Sequence, residues 1–548
     1  MTAGREAIIA EPLAPWNEQT IPDVLARMVA WNPDKRALAG PDGHLTYLEL
    51  ETRSKRLAAG LQSIGVHRDD PIAVAMPASN DWVVLFVACS RLGAPLVPIN
   101  PRMKPSEVAY IVENAKAEFL VLDSMEEAGP GADVQARFRQ ICGPMQEHRP
   151  KCMVRNAEGT MLQSEALDLL ALENESAIDS DSAAASPNDV GVIQYTSGTT
   201  GFPKGVMLTQ DQMLRNAWCV GDRLAVSSQD RMYSPMPFYH VGGAVLSLLM
   251  MISRGGCLHF PASFDPSHML HTLESEGCTV IAGIEAMFFK LHDLETPEFF
   301  RGLDVRAGWC AAPDFAYDLF PGLVNIYGLS ENSPNACMSN VADPIEVRRD
   351  TCGRPQPGLE VGVFPVEGSC SSPLRLGEVG EIRVRGWSVM KGYINDPAAT
   401  AQAITSDGWL RTGDLGTITE AGNLVFGGRA SDTLRIGGER VAAAEIERVL
   451  SDHPAVSGAF VVGVPHPRYG EVPLAVVLSD SDDPTEVQEL EQELIELVES
   501  RLARFKWPKH YRFSHELPLT ESGKVQKRQL RERFLAETRR TAGAGATD

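Results

Sequence analysis

The sequence predicts an α/β protein built as a large N-terminal unit followed by a small α+β domain. Three observations lead there. At 548 residues the chain is too long for one ordinary core, so two or more domains are expected. Helical stretches and short apolar runs alternate through the first part of the chain, the pattern of mainly parallel sheets covered by helices. The composition then shifts near Gly427-Gly-Arg-Ala-Ser-Asp432, which puts the boundary between 1–428 and 429–548.

Taken in order, helix character over Leu57–Ile64 and Trp82–Leu92 alternates with strand character over Pro71–Met76, Pro95–Ile99 and Phe119–Leu122. Ser180–Pro187, rich in Ser, Ala and Asp, reads as a flexible approach to a strand at Val190–Tyr195. Val206-Met-Leu208 reads as a further strand. A helix is expected from Thr209, where Gln212 completes a capping box. The C-terminal domain is expected to hold a helix at Ala443–Leu450, strands at Ala459–Val464 and Leu474–Leu478, and a long helix to Leu502. In that last helix Leu490, Leu494, Leu497 and Val498 fall at helical spacing and read as a core stripe.

Apolar content of 44% and charged content of 22% are those of a globular chain. A formal charge of -22 repels nucleic acid and anionic membrane, so neither is expected as a main partner. The ten cysteines form no C-x-x-C pair and read as free thiols of a reducing compartment. The start, Met1–Ala7, lacks a long apolar run, and the greasiest stretch, Gly242–Ile252, is too short to span a bilayer. A cytoplasmic protein without integral membrane association, monomeric or homodimeric, is the expectation.

The loop after Tyr195 carries the chemistry. Thr196, Ser197, Gly198, Thr199, Thr200 and Gly201 bring hydroxyls and flexible backbone together, and Lys204 adds a point charge. Such a loop presents several N–H groups to one anion. It is not a Walker A loop, which would open a helix after G-K-[S/T]. Here Gly205 follows the lysine and a strand follows the glycine. A mobile surface loop is the plain alternative.

This loop resembles the phosphate-binding signature of the adenylate-forming enzymes: acyl-CoA synthetases, aryl-CoA ligases, luciferases and peptide-synthetase adenylation domains. Leu45-Thr-Tyr-Leu-Glu-Leu50 and Gly93-Ala-Pro-Leu-Val-Pro98 resemble two earlier motifs, and others follow in the family's order over most of the chain. The resemblance implies a β-barrel-like part in the large domain and a mobile small domain. It also implies ATP as substrate, Mg²⁺, coenzyme A and a small-molecule carboxylic acid.

Asn325-Ile-Tyr-Gly-Leu-Ser-Glu331 resembles the family's adenine and magnesium motif. Tyr327 offers a ring for adenine, with Gly328 beside it. Ser330 offers a hydroxyl, and Glu331 is a hard oxygen ligand suited to Mg²⁺. Arg411-Thr-Gly-Asp414 resembles the ribose motif, with Asp414 as the acceptor and Arg429 as a further donor. Phe238-Tyr-His-Val-Gly-Gly243 resembles the acyl-pocket motif. It would set His240 beside the substrate carboxylate, with Gly242 and Gly243 giving room. Gly308-Trp-Cys-Ala-Ala-Pro313 resembles the segment between adenine and acid, which would set the small Ala311 and Ala312 against the nucleotide, while Trp309 and Cys310, bulkier than usual, either shape the acyl pocket or simply pack. Leu517-Pro-Leu-Thr-Glu-Ser-Gly-Lys524 resembles the C-terminal lysine motif, whose Lys524 would bridge carboxylate and α-phosphate. Gly437 and Gly438, with Phe505-Lys-Trp-Pro-Lys509, resemble the CoA face. Ser431 stands at the hinge, where many members carry Lys or Asp.

The resulting expectation is ATP-dependent activation of a bulky hydrophobic, fatty or aryl acid to acyl-AMP, then transfer to CoA. The alternatives are loading of a carrier-protein thiol in trans, a nucleotide-binding protein with degenerate chemistry, or a luciferase-like oxidase on the same fold.

Overall fold

Helix starts are set by side chains that satisfy the first free N–H groups. Capping boxes at Thr20 with Asp23, Thr46 with Glu49 and Thr209 with Gln212 open the helices Ile21–Trp31, Tyr47–Ser63 and Gln210–Arg223. The second helix therefore begins well before Leu57, and the Leu45–Leu50 motif covers a strand end, a cap and a first helical turn. The computed structural model describes residues 6–544 except 13–15, 124–133, 144, 146–148, 156–165, 176–184, 197–202, 293, 312–314, 367–371, 431–432, 437–438, 467–469, 480–482, 503 and 520–524. Most of the expected flexible approach, Ser180–Ala184, lies outside the described residues.

Two large sheets make the N-terminal part. In the first, of eight strands, Val190–Thr196, Leu96–Pro98, Ile72–Ala75, Phe119–Leu122, Lys151–Val154 and Ala166–Asp168 run parallel. Lys204–Thr209 adds antiparallel beside Val190–Thr196, and Gly392–Tyr393 adds antiparallel beside Lys204–Thr209. The second sheet has nine strands, with Leu323–Tyr327, Ala307–Ala311, Val280–Ile284, Arg231–Tyr233, Cys257–His259 and Arg36–Gly40 parallel at its centre. A third sheet, antiparallel and of five strands, runs Ile8–Ala10, Leu359–Phe364, Gly380–Gly386, Leu410–Ile418 and Leu424–Arg429. This is the expected barrel-like part, present as a curled half-barrel.

The helix Asn80–Leu92 is apolar nearly all round and buried nearly all round. Such a helix belongs in a core with protein on both sides. Trp82 and Phe86 are fully buried there, in the cluster that also takes in Phe238, Val245 and Trp309. Arg155 ties the first sheet to the second, donating to Asp81 at 2.6 Å, Asp123 at 2.9 Å and Asp42 at 2.9 Å. Asp42 lies in the turn between Arg36–Gly40 and Gly43–Thr46, so three carboxylates spread the cost of one buried guanidinium.

Beyond Arg429 a separate small core forms around Leu434, Ile446, Leu450, Val461, Val477, Leu490, Leu494 and Val498. Its sheet pairs Gly458–His466 with Gly470–Leu478, and His510–Ser514 joins in parallel. The helices Ala443–Ser451 and Pro484–Arg501 follow the expected apolar spacing. The nine described cysteines are free and buried. No described helix is long and apolar enough to cross a membrane.

Candidate active site

The strand Leu323–Tyr327 of the second sheet ends at Tyr327, whose hydroxyl donates to Asp414 Oδ2 at 2.9 Å. Asp414 lies in Leu410–Ile418 of the third sheet, where the register sets it directly across from Arg429. Arg429 Nε is 2.8 Å from Asp414 Oδ1, an ion pair that is not aligned as a hydrogen bond. Cross-strand register thus explains why residues far apart in sequence meet. Burial, then the neighbouring Asp414 carboxylate, holds the Tyr327 phenol well above its ordinary range, so it remains a donor. The Asp414 backbone N–H is turned onto Thr412 Oγ1 at 3.0 Å, and Thr412 in turn donates to Ile382 O.

Tyr327 itself is only 5% exposed, so its ring offers little open face. Phe426 packs against it at 5.9 Å between ring centroids and is 45% exposed. The open aromatic surface here belongs to Phe426, which the sequence reading did not single out. At Gly328 a Cβ would fall 1.7 Å from Pro334 O, so only glycine fits the turn that follows Tyr327. Ser330 and Glu331 form the short 3₁₀ turn Ser330–Asn332, with Ser330 buried and Glu331 half-buried.

Lys204 opens the strand that pairs Gly205 with Tyr195 and Val206 with Gln194. Its ammonium has no ion pair among the described residues and lies 5.1 Å from the centre of the Tyr393 ring. The Tyr393 hydroxyl donates to Glu331 Oε1 at 3.0 Å. The Tyr195 hydroxyl donates to Asn114 Oδ1 at 2.6 Å, and a Cβ at Gly205 would lie 2.9 Å from its ring. Thr196 ends the strand before the loop, while Ser197, Gly198, Thr199, Thr200 and Gly201 lie outside the described residues.

In the first large core, Phe238 anchors the segment that carries His240. Its ring sits 5.2 Å from Trp82 and 4.7 Å from Phe260. His240 caps the turn Val241–Gly243, its Nδ1 accepting from Gly242 N at 3.1 Å. With Nδ1 as acceptor, neutral His240 carries its proton on Nε2. At Gly243 a Cβ would lie 2.3 Å from Pro237 O, so the turn closes only with glycine. At Gly242 a Cβ would lie 3.2 Å from His240 Nδ1, 3.3 Å from Met236 Cε and 3.4 Å from Trp309 Cη2. The π-helical turn Ala244–Leu249 follows, and Trp309 Nε1 donates to its Leu246 O at 3.1 Å.

Trp309 and Cys310 are neighbours on Ala307–Ala311 and point to opposite faces of the sheet. Trp309 faces Gly242. Cys310 packs in the other layer, its Sγ 3.6 Å from Tyr317 Oη, and this removes it from the expected acyl-pocket set. Ala311 ends the strand, and Ala312 lies outside the described residues. So do Ser431, Gly437, Gly438 and Lys524. Of the second CoA-side segment, Lys506 reaches Glu445 Oε1 at 2.5 Å and Trp507 Nε1 donates to Leu502 O at 2.8 Å.

Fold and polar cluster together define the class, an α/β nucleotide-handling enzyme. Residues 25–394 match the AMP-binding enzyme family, and residues 445–524 match the AMP-binding enzyme C-terminal domain. The chain is 33% identical over 525 residues to a Mycobacterium tuberculosis protein, 3-[(3aS,4S,7aS)-7a-methyl-1,5-dioxo-octahydro-1H-inden-4-yl]propanoyl:CoA ligase, covering 94% of this chain and 99% of that one. It is 29% identical over 552 residues to the human mitochondrial medium-chain acyl-CoA ligase ACSF2, covering 94% and 88%. The crystal structure of ATP-bound MatB from Rhodopseudomonas palustris superposes with a TM-score of 0.81 at 26% identity, covering 94% of this chain and 99% of that one. The chain belongs to the AMP-binding enzyme family, among its AMP-forming acyl-CoA ligases.

Proposed function

We propose that this enzyme joins a bulky hydrophobic, fatty or aryl acid to coenzyme A by way of an acyl adenylate. The observation that carries the reading is the meeting of two polar sets on adjoining sheets: Tyr327, Asp414 and Arg429, and Lys204, Tyr393 and Glu331. The first set suits a ribose, since a buried carboxylate held from one side by a phenol can accept from paired hydroxyls. The second suits polyphosphate, and the loop Thr196–Gly201 is assigned to supply N–H groups to it.

In the first step a carboxylate oxygen of the acid attacks the α-phosphorus of ATP. The bond to the bridging oxygen breaks and pyrophosphate leaves. Lys524 is assigned to the charge that builds there, and His240 to the acid's carboxylate, with Nε2–H as donor. In the second step the CoA thiol gives up its proton to solvent, the thiolate attacks the acyl carbonyl, the bond from that carbon to the phosphate oxygen breaks and AMP leaves. Positioning and charge stabilisation supply the rate.

Glu331 is the residue assigned to Mg²⁺. Its Oε2 has no partner among the described residues, and no described group of three or more His, Cys, Asp and Glu would hold a metal unaided. That donor set fits an ion that takes one carboxylate plus phosphate oxygens and water. When bound, Mg²⁺ neutralises phosphate charge.

Gly437, Gly438 and the segment Phe505–Lys509 are assigned to CoA. Ser431 is assigned to the hinge of a mobile domain 429–548. The third sheet ends at Arg429 and the small core begins with the strand Thr433–Ile436, which supports that boundary. The acid pocket is assigned to His240, Gly242, Gly243 and Trp309. Free, buried thiols support a reducing compartment such as the cytoplasm.

The test supplies an acid panel, ATP and Mg²⁺ with either CoA or a phosphopantetheine-bearing carrier protein. AMP formed together with acyl-CoA supports the proposal. Thioester on the carrier alone moves the acceptor to a protein in trans. ADP, or AMP without acid, sinks the reading.

A further inference from the structure

We propose that Tyr393 is a positioning residue that holds the phosphate lysine and the metal carboxylate in one frame. The inference rests on the assignment of Lys204 to phosphate and Glu331 to Mg²⁺. Tyr393 lies on the two-residue strand Gly392–Tyr393, far in sequence from both. That strand pairs Tyr393 with Val206 and Gly392 with Met207, so it is bonded directly to the strand that carries Lys204. Flanking backbone contacts lengthen the bond, with Lys391 N donating to Met207 O at 3.0 Å and Ile394 N to Gly205 O at 2.8 Å. The phosphate lysine and Tyr393 therefore move as one piece.

The same segment grips Glu331 from both ends. Met390 N donates to Glu331 O at 2.9 Å, which fixes the backbone. The Tyr393 hydroxyl donates to Oε1 at 3.0 Å, which fixes the carboxylate and leaves Oε2 without a partner among the described residues. Gln212 steadies the segment from the next helix, donating to Trp387 O at 2.9 Å and Val389 O at 2.6 Å.

Lys204 and Glu331 are of opposite charge, yet they do not pair with each other. Each is taken by a different part of Tyr393, the ammonium by the ring face and the carboxylate by the hydroxyl. One side chain thereby keeps two charges unspent and set at a fixed offset. An anion with a bound cation needs that offset, because its charges must be met in two places at once. A partner that orients a metal-binding group typically matters about 10- to 100-fold in metal affinity.

The experiment measures ATP binding by calorimetry, in excess Mg²⁺ and in EDTA, for wild type, Tyr393→Phe and Tyr393→Leu. Melting temperatures are taken alongside. Phenylalanine keeps the ring and loses the hydroxyl, whereas leucine keeps bulk and loses both. Wild type is expected to bind ATP more tightly with Mg²⁺. Tyr393→Phe is expected to lose about tenfold of that metal-dependent gain with binding in EDTA unchanged. Tyr393→Leu is expected to lose the gain and to bind more weakly in EDTA as well, about threefold, through Lys204. A Tyr393→Phe protein with the full metal-dependent gain overturns the role of the hydroxyl. Equal binding of Tyr393→Leu and wild type in EDTA overturns the role of the ring. A wild type that gains nothing from Mg²⁺ is a different result, and it overturns the assignment of Glu331 on which the proposal stands.

Discussion

The two ends of the site are held by different forces. At the nucleotide end, Tyr327, Asp414 and Arg429 meet through hydrogen bonds and an ion pair, and Lys204, Tyr393 and Glu331 through another polar set. At the end assigned to the acid, Gly242, Gly243 and Trp309 meet mainly by close packing, beside the hydrogen bonds from Gly242 N to His240 Nδ1 and from Trp309 Nε1 to Leu246 O. A site for one invariant nucleotide calls for directional groups, whereas a site that selects one acid among many is set by volume. A polar set fails sharply when one member goes, whereas a packed wall shifts its preference.

That contrast can be broken at either end. The largest effect is expected at Asp414. Asp414→Asn removes the charge that faces Arg429 and is assigned to the ribose, and hydrogen bonds to a charged group are worth about 1.5–3 kcal/mol, so nucleotide affinity should fall about 10- to 100-fold. Fluorescence titration with AMP checks it, and the acid preference should stay as it was. A changed acid profile with intact AMP binding would reverse the comparison.

A smaller change is expected at Trp309. Trp309→Ala empties the volume beside Gly242 and frees the Leu246 carbonyl, which lies in a π-helical turn. The kcat/KM ratio for a long against a short acid should rise about tenfold, in the range that one or two methylenes command in an apolar pocket. ATP affinity should not move. An unaltered chain-length profile would show that the wall lies elsewhere.

The smallest effect is expected at the hinge. Ser431→Asp restores a charge to a position where many members of the family carry Lys or Asp. Thioester formation in single turnovers should quicken about threefold, the small scale typical of one added charge. Adenylate formation should be unchanged. Equal transfer rates in both proteins would remove Ser431 from the account.

The same contrast explains what the sequence made legible. Alternating runs announced the parallel sheets, and Phe119–Leu122 falls where its four apolar residues put it. Tyr-Gly-Leu-Ser-Glu and Arg-Thr-Gly-Asp stand out through their resemblance to family motifs, since each alone could be a turn. Their meeting was not readable, since it depends on sheet order. Tyr393 was missed for that reason: its partners are Val206 in register and Glu331 in space, and a two-residue strand has no period to find. Trp309 and Cys310 separate onto two faces because adjacent side chains on a strand point opposite ways, which decides between packing and pocket only once the strand is known. Phe426 was passed over because an exposed aromatic carries no signal until Tyr327 is seen beneath it.

The account stands most directly on acid-dependent exchange of labelled pyrophosphate into ATP, without any thiol, for wild type and Lys524→Ala. It predicts exchange by wild type only when an acid is present, and a loss of at least about 100-fold in Lys524→Ala, the scale for removing one group that stabilises transition-state charge. Full exchange in Lys524→Ala, or exchange by wild type without acid, would contradict it.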